Sequence, residues 1–212
     1  VKISEGRKLI LLGVILVVFD QVVKILVKTN MEVGDHFNVI GNWFQIYFIE
    51  NEGMAFGMKF GGTVGKFLLS LFRIGLFVLL WWWIASLVRK RYDSEGKVLL
   101  RENGRPMVPE GVLIGLTLIT AGALGNIIDC LFYGIIFNYA PFMFGRVVDM
   151  LYFPIIDTYW PEWMPFCGGD RFLFFSPVFN IADSCVTIGA IYLIFFQYKF
   201  FLGEDKKKDV AA

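Results

Sequence analysis

The chain has 212 residues, of which 57% are hydrophobic and 18% charged, and its mean hydropathy is +0.62. A water-soluble domain carries about 25% charged residues, so the chain reads as a single membrane unit spanning 1–212, with no linker between two soluble cores. A net charge of +1 excludes an electrostatic nucleic-acid binder, and three cysteines with one histidine leave no CxxC or HExxH metal motif.

A helix needs about 20 mostly apolar residues to cross the hydrocarbon core. Four segments qualify, at about 8–28, 64–88, 111–133 and 181–201. The first opens like a secretory signal, basic residues and then an apolar run. It continues into Asp20, Gln21 and Lys24 without a small-residue cleavage site, so it reads as a retained span. Asp20 and Lys24 are four apart on one helix face, the spacing of a structural ion pair.

The first outer loop, 29–63, contains Asn42–Glu50, rich in aromatic and β-branched residues and therefore strand-like, and then the Gly-punctuated run Asn51-Glu52-Gly53-Met54-Ala55-Phe56-Gly57. His36 in this loop reads as a surface residue. The loop 89–110 is polar and without a motif. The third connection, 134–180, is long and aromatic and is expected to lie on the membrane surface. Lys and Arg number thirteen in the amino end, the 89–110 loop and the tail, against three in the other two loops. The positive-inside bias therefore predicts both termini inside. Cys130, Cys167 and Cys185 are an odd set and are expected as free thiols.

Two polar pairs repeat one spacing. Asn126 and Asp129 lie near the outer end of the third span, and Asn180 and Asp183 at the start of the fourth. Asp129 is 18 residues beyond Gly111, about 27 Å along a helix, so both acids are expected at one level under the outer surface. Paired carboxylates at that depth share a proton, as aspartic proteolysis requires: one takes a proton from water and the other polarises the peptide carbonyl. The same residues also fit helix–helix glue or a proton path, and spacing does not separate these. A small proton-coupled transporter is the alternative from another class. Within proteolysis, Lys66 and Ser70 have the helical spacing of a Ser-Lys pair. A presenilin-type Gly-x-Gly-Asp element is missing, for Cys167-Gly168-Gly169-Asp170 stands in an outer loop.

Five blocks in order resemble the bacterial lipoprotein signal peptidase family, also called signal peptidase II. They are Asp20-Gln21-Val22-Val23-Lys24, Asn51 to Gly57, Gly122 to Asp129, Val147-Val148-Asp149-Met150, and Phe179-Asn180-Ile181-Ala182-Asp183-Ser184. The resemblance implies an all-α membrane protein of four transmembrane helices, N-in and C-in, with a small extracytoplasmic β-structure and a long outer loop. It implies an aspartyl endopeptidase of the bacterial cytoplasmic (inner) membrane, acting near the outer face. Such an enzyme removes the signal peptide of a prolipoprotein before its diacylglyceryl-modified Cys, without metal or cofactor, among membrane lipids, and a cyclic peptide of the globomycin type occupies its site. Carried over by position, Asp129 and Asp183 are the catalytic pair. Asn51, Gly53, Phe56, Asn126, Asn180 and Ala182 bind substrate or support the pair. Asp149 supports the pair or bonds Arg146 across one turn. The sequence departs from the family pattern at Cys130, where many members have Arg, and in a longer segment between Met150 and Phe179.

Overall fold

A computed structural model describes residues 5–52, 62–174 and 177–203. Gly53 and Phe56 therefore lie outside the described residues. The long helices are α1 (Glu5–Asn30), α2 (Gly62–Arg91) and α3 (Glu110–Ile128). The last of these runs on through a π-helical turn, Asp129–Tyr133, to Gly134–Ile136. Three segments, Gly6–Asn30, Gly62–Arg91 and Glu110–Ile136, are long and apolar enough to cross a membrane. The fourth expected span is shorter. Helix α4 (Ile181–Phe196) ends at Gln197, whose backbone (φ −118°, ψ 6°) leaves the helical region before the short α5 (Tyr198–Leu202).

The packing explains which helix sits where. Helix α3 has small residues where α4 crosses it, and a Cβ added at Gly189 would come within 2.7 Å of the Gly115 carbonyl oxygen. The two backbones therefore approach as closely as glycine permits, the usual way helices associate without a hydrophobic drive in lipid. Val112, Leu113 and Leu116 of α3 join Leu87 of α2 and Leu193 of α4 in one buried cluster. By contrast α1 and α2 present rows of exposed Leu, Ile, Val, Phe and Trp, including Leu11, Ile15, Phe72, Leu79 and Trp82. Such faces need hydrocarbon around them.

The small β-structure expected beside the helices is a four-stranded antiparallel sheet at one end of them. Its order is β1 (His36–Ile40), β2 (Phe44–Asn51), β3 (Val147–Tyr152), β6 (Val178–Phe179). The strand expected over Asn42–Glu50 is β2. Its partner β1 is exposed at all five residues. The loop 134–180 supplies β3 and β6, and also a separate hairpin of β4 (Ile156–Tyr159) and β5 (Arg171–Phe174). Beneath the sheet Phe48, Val148 and Met150 pack on Val27 of α1 and Tyr133 of α3, which fixes β3 against the helix ends. In the connection 91–110, Tyr92 pairs with Val98 and Leu100 with Pro106 as isolated bridges, and buried Arg91 donates to the Val108 carbonyl.

Candidate active site

Asp20, Gln21 and Lys24 share one face of α1, and that face turns inward against α3. Lys24 is fully buried. Its ammonium has three acceptors for its three protons: Asp20 Oδ2 at 2.9 Å, Asp129 Oδ2 at 2.8 Å and Asn126 Oδ1 at 2.9 Å. The expected Asp20–Lys24 pair is present, within a larger cluster. Gln21, which the motif contained but no argument singled out, donates Nε2 to Asp129 Oδ1 at 2.9 Å and accepts from the Tyr133 hydroxyl. Asp129 Oδ2 also accepts from the Val148 amide at 3.2 Å. Both oxygens of Asp129 are thus occupied, and none of its surface is exposed. The carboxylate opens the π-helical turn, a local widening of a helix that is frequent at functional sites.

The other end of the same network is held by α4. Asn180 caps that helix: its Oδ1 accepts from the Asp183 amide at 2.8 Å, and Asp183 Oδ2 accepts from the Asn180 amide at 3.3 Å. This is a reciprocal capping box, here with Asp at the third helical position. Asp20 Oδ1 accepts from the next free amide of the turn, Ala182, at 2.9 Å. Asp183 Oδ1 accepts from Asn126 Nδ2 at 2.7 Å.

Asn180 also reaches the sheet. Its Nδ2 donates to Asp149 Oδ1 at 2.7 Å, and Asn51 Nδ2 donates to Asp149 Oδ2 at 3.2 Å. Asp149 is buried, which lifts its carboxyl, and the neighbouring charge of Asp183 lifts it further. The amides of Asn51 and Asn180 and the charge of Lys24 oppose this, and the result is pushed up to about 7. Asp183 therefore feels Asp149 across one asparagine, whereas Asp129 is separated from Asp183 by Asn126 and neutralised by Lys24.

Arg146 does not bond Asp149. It bonds Glu50 at 3.0 Å and Glu52 at 3.4 Å, and it lies over the Tyr139 ring. Burial alone would raise Glu50, but Lys28 and Arg146 outweigh it and hold its carboxyl below the usual range. Lys66 and Ser70 do not form a nucleophile–base pair: Lys66 bonds Glu52 at 2.9 Å and Ser70 donates to the Met143 carbonyl at 3.1 Å. Cys130, Cys167 and Cys185 are free thiols. His36 is exposed and edges onto Tyr47. Arg73, overlooked in the sequence, donates Nη1 from α2 to Cys130 Sγ at 3.0 Å. A cationic residue inside an otherwise apolar span was the signal that could have found it.

The family model described as Signal peptidase (SPase) II matches residues 12–199. A lipoprotein signal peptidase of Porphyromonas gingivalis (strain W83) is 43% identical over 208 residues, covering 91% of this chain and 84% of that protein. Those of Amoebophilus asiaticus and Staphylococcus aureus (strain MRSA252) are 34% and 31% identical. They cover 86% and 87% of this chain and 74% and 84% of their own lengths. A solved structure described as a bacterial membrane enzyme, determined by the in meso method at 2.3 Å resolution, is similar with a TM-score of 0.59 and 28% identity. It covers 91% of this chain and 88% of its own. With the family model spanning most of the sequence, the chain belongs to the signal peptidase II family.

Proposed function

We infer that the protein is an aspartic endopeptidase that removes the signal peptide from diacylglyceryl-modified prolipoproteins, cutting before the lipidated Cys. The observation that carries the mechanism is the hydrogen-bonded bridge Asp149–Asn180–Asp183 at the sheet end of the helices. Spacing in the sequence suggested Asp129 as the partner of Asp183. The hydrogen bonds favour Asp149 instead, because Asp129 has both oxygens spent on Lys24, Gln21 and Val148.

In this reading Asp149, with its carboxyl near 7, carries the shared proton at neutral pH and donates it toward the scissile carbonyl oxygen. Asp183, which accepts from the amides of Asn126 and Asn180, takes a proton from water as the water oxygen attacks the carbonyl carbon. When the C–N bond breaks, that proton passes from Asp183 to the leaving amine, and one hydroxyl of the tetrahedral intermediate returns a proton to Asp149 as the C=O re-forms. Asp129 acts as a positioning residue: with Lys24 it fixes Asn126, and Asn126 aims Asp183. Asn51 sits at the start of the segment that carries Gly53 and Phe56, and these three are proposed to face the substrate chain.

The same reading has four spans with both termini inside, α4 and α5 together forming the last, in the cytoplasmic membrane of a bacterium. The site then lies at the outer face, where a globomycin-type cyclic peptide competes. Incubating the purified protein with a diacylglyceryl-modified prolipoprotein tests this: mass spectrometry of the product should show the lipidated Cys as the new amino terminus. A cut elsewhere, or none, contradicts it.

A further inference from the structure

A groove of about 830 Å³ is bounded by α1 and α2 and floored by α3, and none of the site carboxylates lines it. Along α1 it runs from Gly6 to Val18, about 18 Å, close to one leaflet of a hydrocarbon core about 30 Å thick. Its walls are Val14, Val17, Phe77 and Trp81, among others of the same kind. The floor offers no hydrogen bonds either, because the hydroxyls of Thr117 and Thr120 donate to Leu113 and Leu116 of their own helix.

The mouth is different. Arg7 lines it, and α2 meets α1 there, since a Cβ added at Gly6 would touch Val88 at 3.7 Å. This places Arg89, held by its Nε on the Ala85 carbonyl, within about a turn of Arg7. Arg89 follows Ala85, which lines the groove, by one helical turn, so two cationic side chains stand at this end of an apolar slot and favour an anion there. Basic pockets between spanning helices hold anionic lipid headgroups in this way.

We propose that this groove is a binding site for an anionic glycerophospholipid, with an acyl chain along α3 and its phosphate between Arg7 and Arg89. The lipid fills the gap that α1 and α2 leave between them and so supports the α1 face that carries Lys24. The site is independent of the peptidase reading, and its test does not use cleavage.

The protein in nanodiscs is photolabelled with phosphatidylglycerol or phosphatidylcholine carrying a diazirine in the acyl chain, and the adducts are mapped by mass spectrometry. Labelling by phosphatidylglycerol is expected to concentrate on Val14, Phe77 and Thr117, above the lipid-facing Leu11 and Phe72. Arg7→Gln with Arg89→Gln should cut that labelling by about fivefold per arginine removed and leave phosphatidylcholine labelling unchanged. Ala85→Phe, which narrows the groove, should lower it with both arginines intact. Equal labelling by the two lipids, or no excess over Leu11 and Phe72, overturns the proposal and leaves only annular lipid. Loss of the groove adducts when a prolipoprotein is added also overturns it, because the groove then belongs to the signal helix.

Discussion

Lys24 and Asp129 meet at 2.8 Å with neither side chain exposed. Lys24 is the shared counter-ion of Asp129 and of Asp20, so removing it leaves buried carboxylates without their cation. Lys24→Met should destabilise the protein by about 3 kcal/mol or more, read as the midpoint of thermal unfolding in detergent. Combining it with Asp129→Asn should recover part of the loss, and a strictly additive double variant would contradict the coupling.

Gly125 is the point at which α3 passes Asp20. A Cβ there would come within 2.6 Å of Asp20 Oδ2 and 3.1 Å of Ala182 Cβ, and the carboxylate is the nearer group that must shift. Gly125→Ala should therefore pull Asp20 from the Ala182 amide and lower cleavage by tenfold or more, with a smaller change in thermal midpoint. Wild-type turnover in this variant would show that the Asp20 contact is dispensable.

The pH profile follows from Asp149. Its carboxyl is raised to about 7, so the proton that the proposed mechanism draws on is present below that pH and lost above it. Cleavage should decline as pH rises through about 7. The same raised value means the folded protein binds a proton that the unfolded chain has released, so stability should also fall between about pH 4 and 7. Asp149→Asn should remove that slope in an unfolding series across this range.

Glu50 works in the opposite sense. Lys28 and Arg146 hold it below the usual range, so its contribution is present above the ordinary glutamate pKa and is lost as pH falls through the lowered one. Glu50→Gln should cost about 3 kcal/mol at neutral pH and little in acid, because it leaves Lys28 and Arg146 without their shared anion. A loss independent of pH would contradict the pairing.

Much of this was legible in the residues. Apolar runs located three long helices, and the i, i+4 spacing of Asp20 and Lys24 put them on one face. The strand character of Phe44–Asn51 was visible in its aromatic and β-branched content. What the spacing does not carry is the contact of Asn180 with Asp149. Helical periodicity ranks Asp129 with Asn126, yet the hand-off from Asn180 to Asp149 depends on the antiparallel register of β3 with β6, in which Leu151 faces Phe179. That register is set by tertiary pairing and by no pattern within either segment. The role of Asn51 is similar: it reaches Asp149 because β2 lies beside β3. Arg146 beside Asp149 suggested an ion pair across one turn, but β3 is extended, and Arg146 bonds Glu50 of the neighbouring strand.

The most direct measurement compares Asp149→Asn, Asp183→Asn and Asp129→Asn for cleavage of a lipidated prolipoprotein and for thermal midpoint, side by side. Asp149→Asn and Asp183→Asn should each lose activity by about a thousandfold or more with the midpoint kept or raised. Asp129→Asn should lose stability and activity together. Full turnover in Asp149→Asn, alongside a folded but inactive Asp129→Asn, would contradict the account.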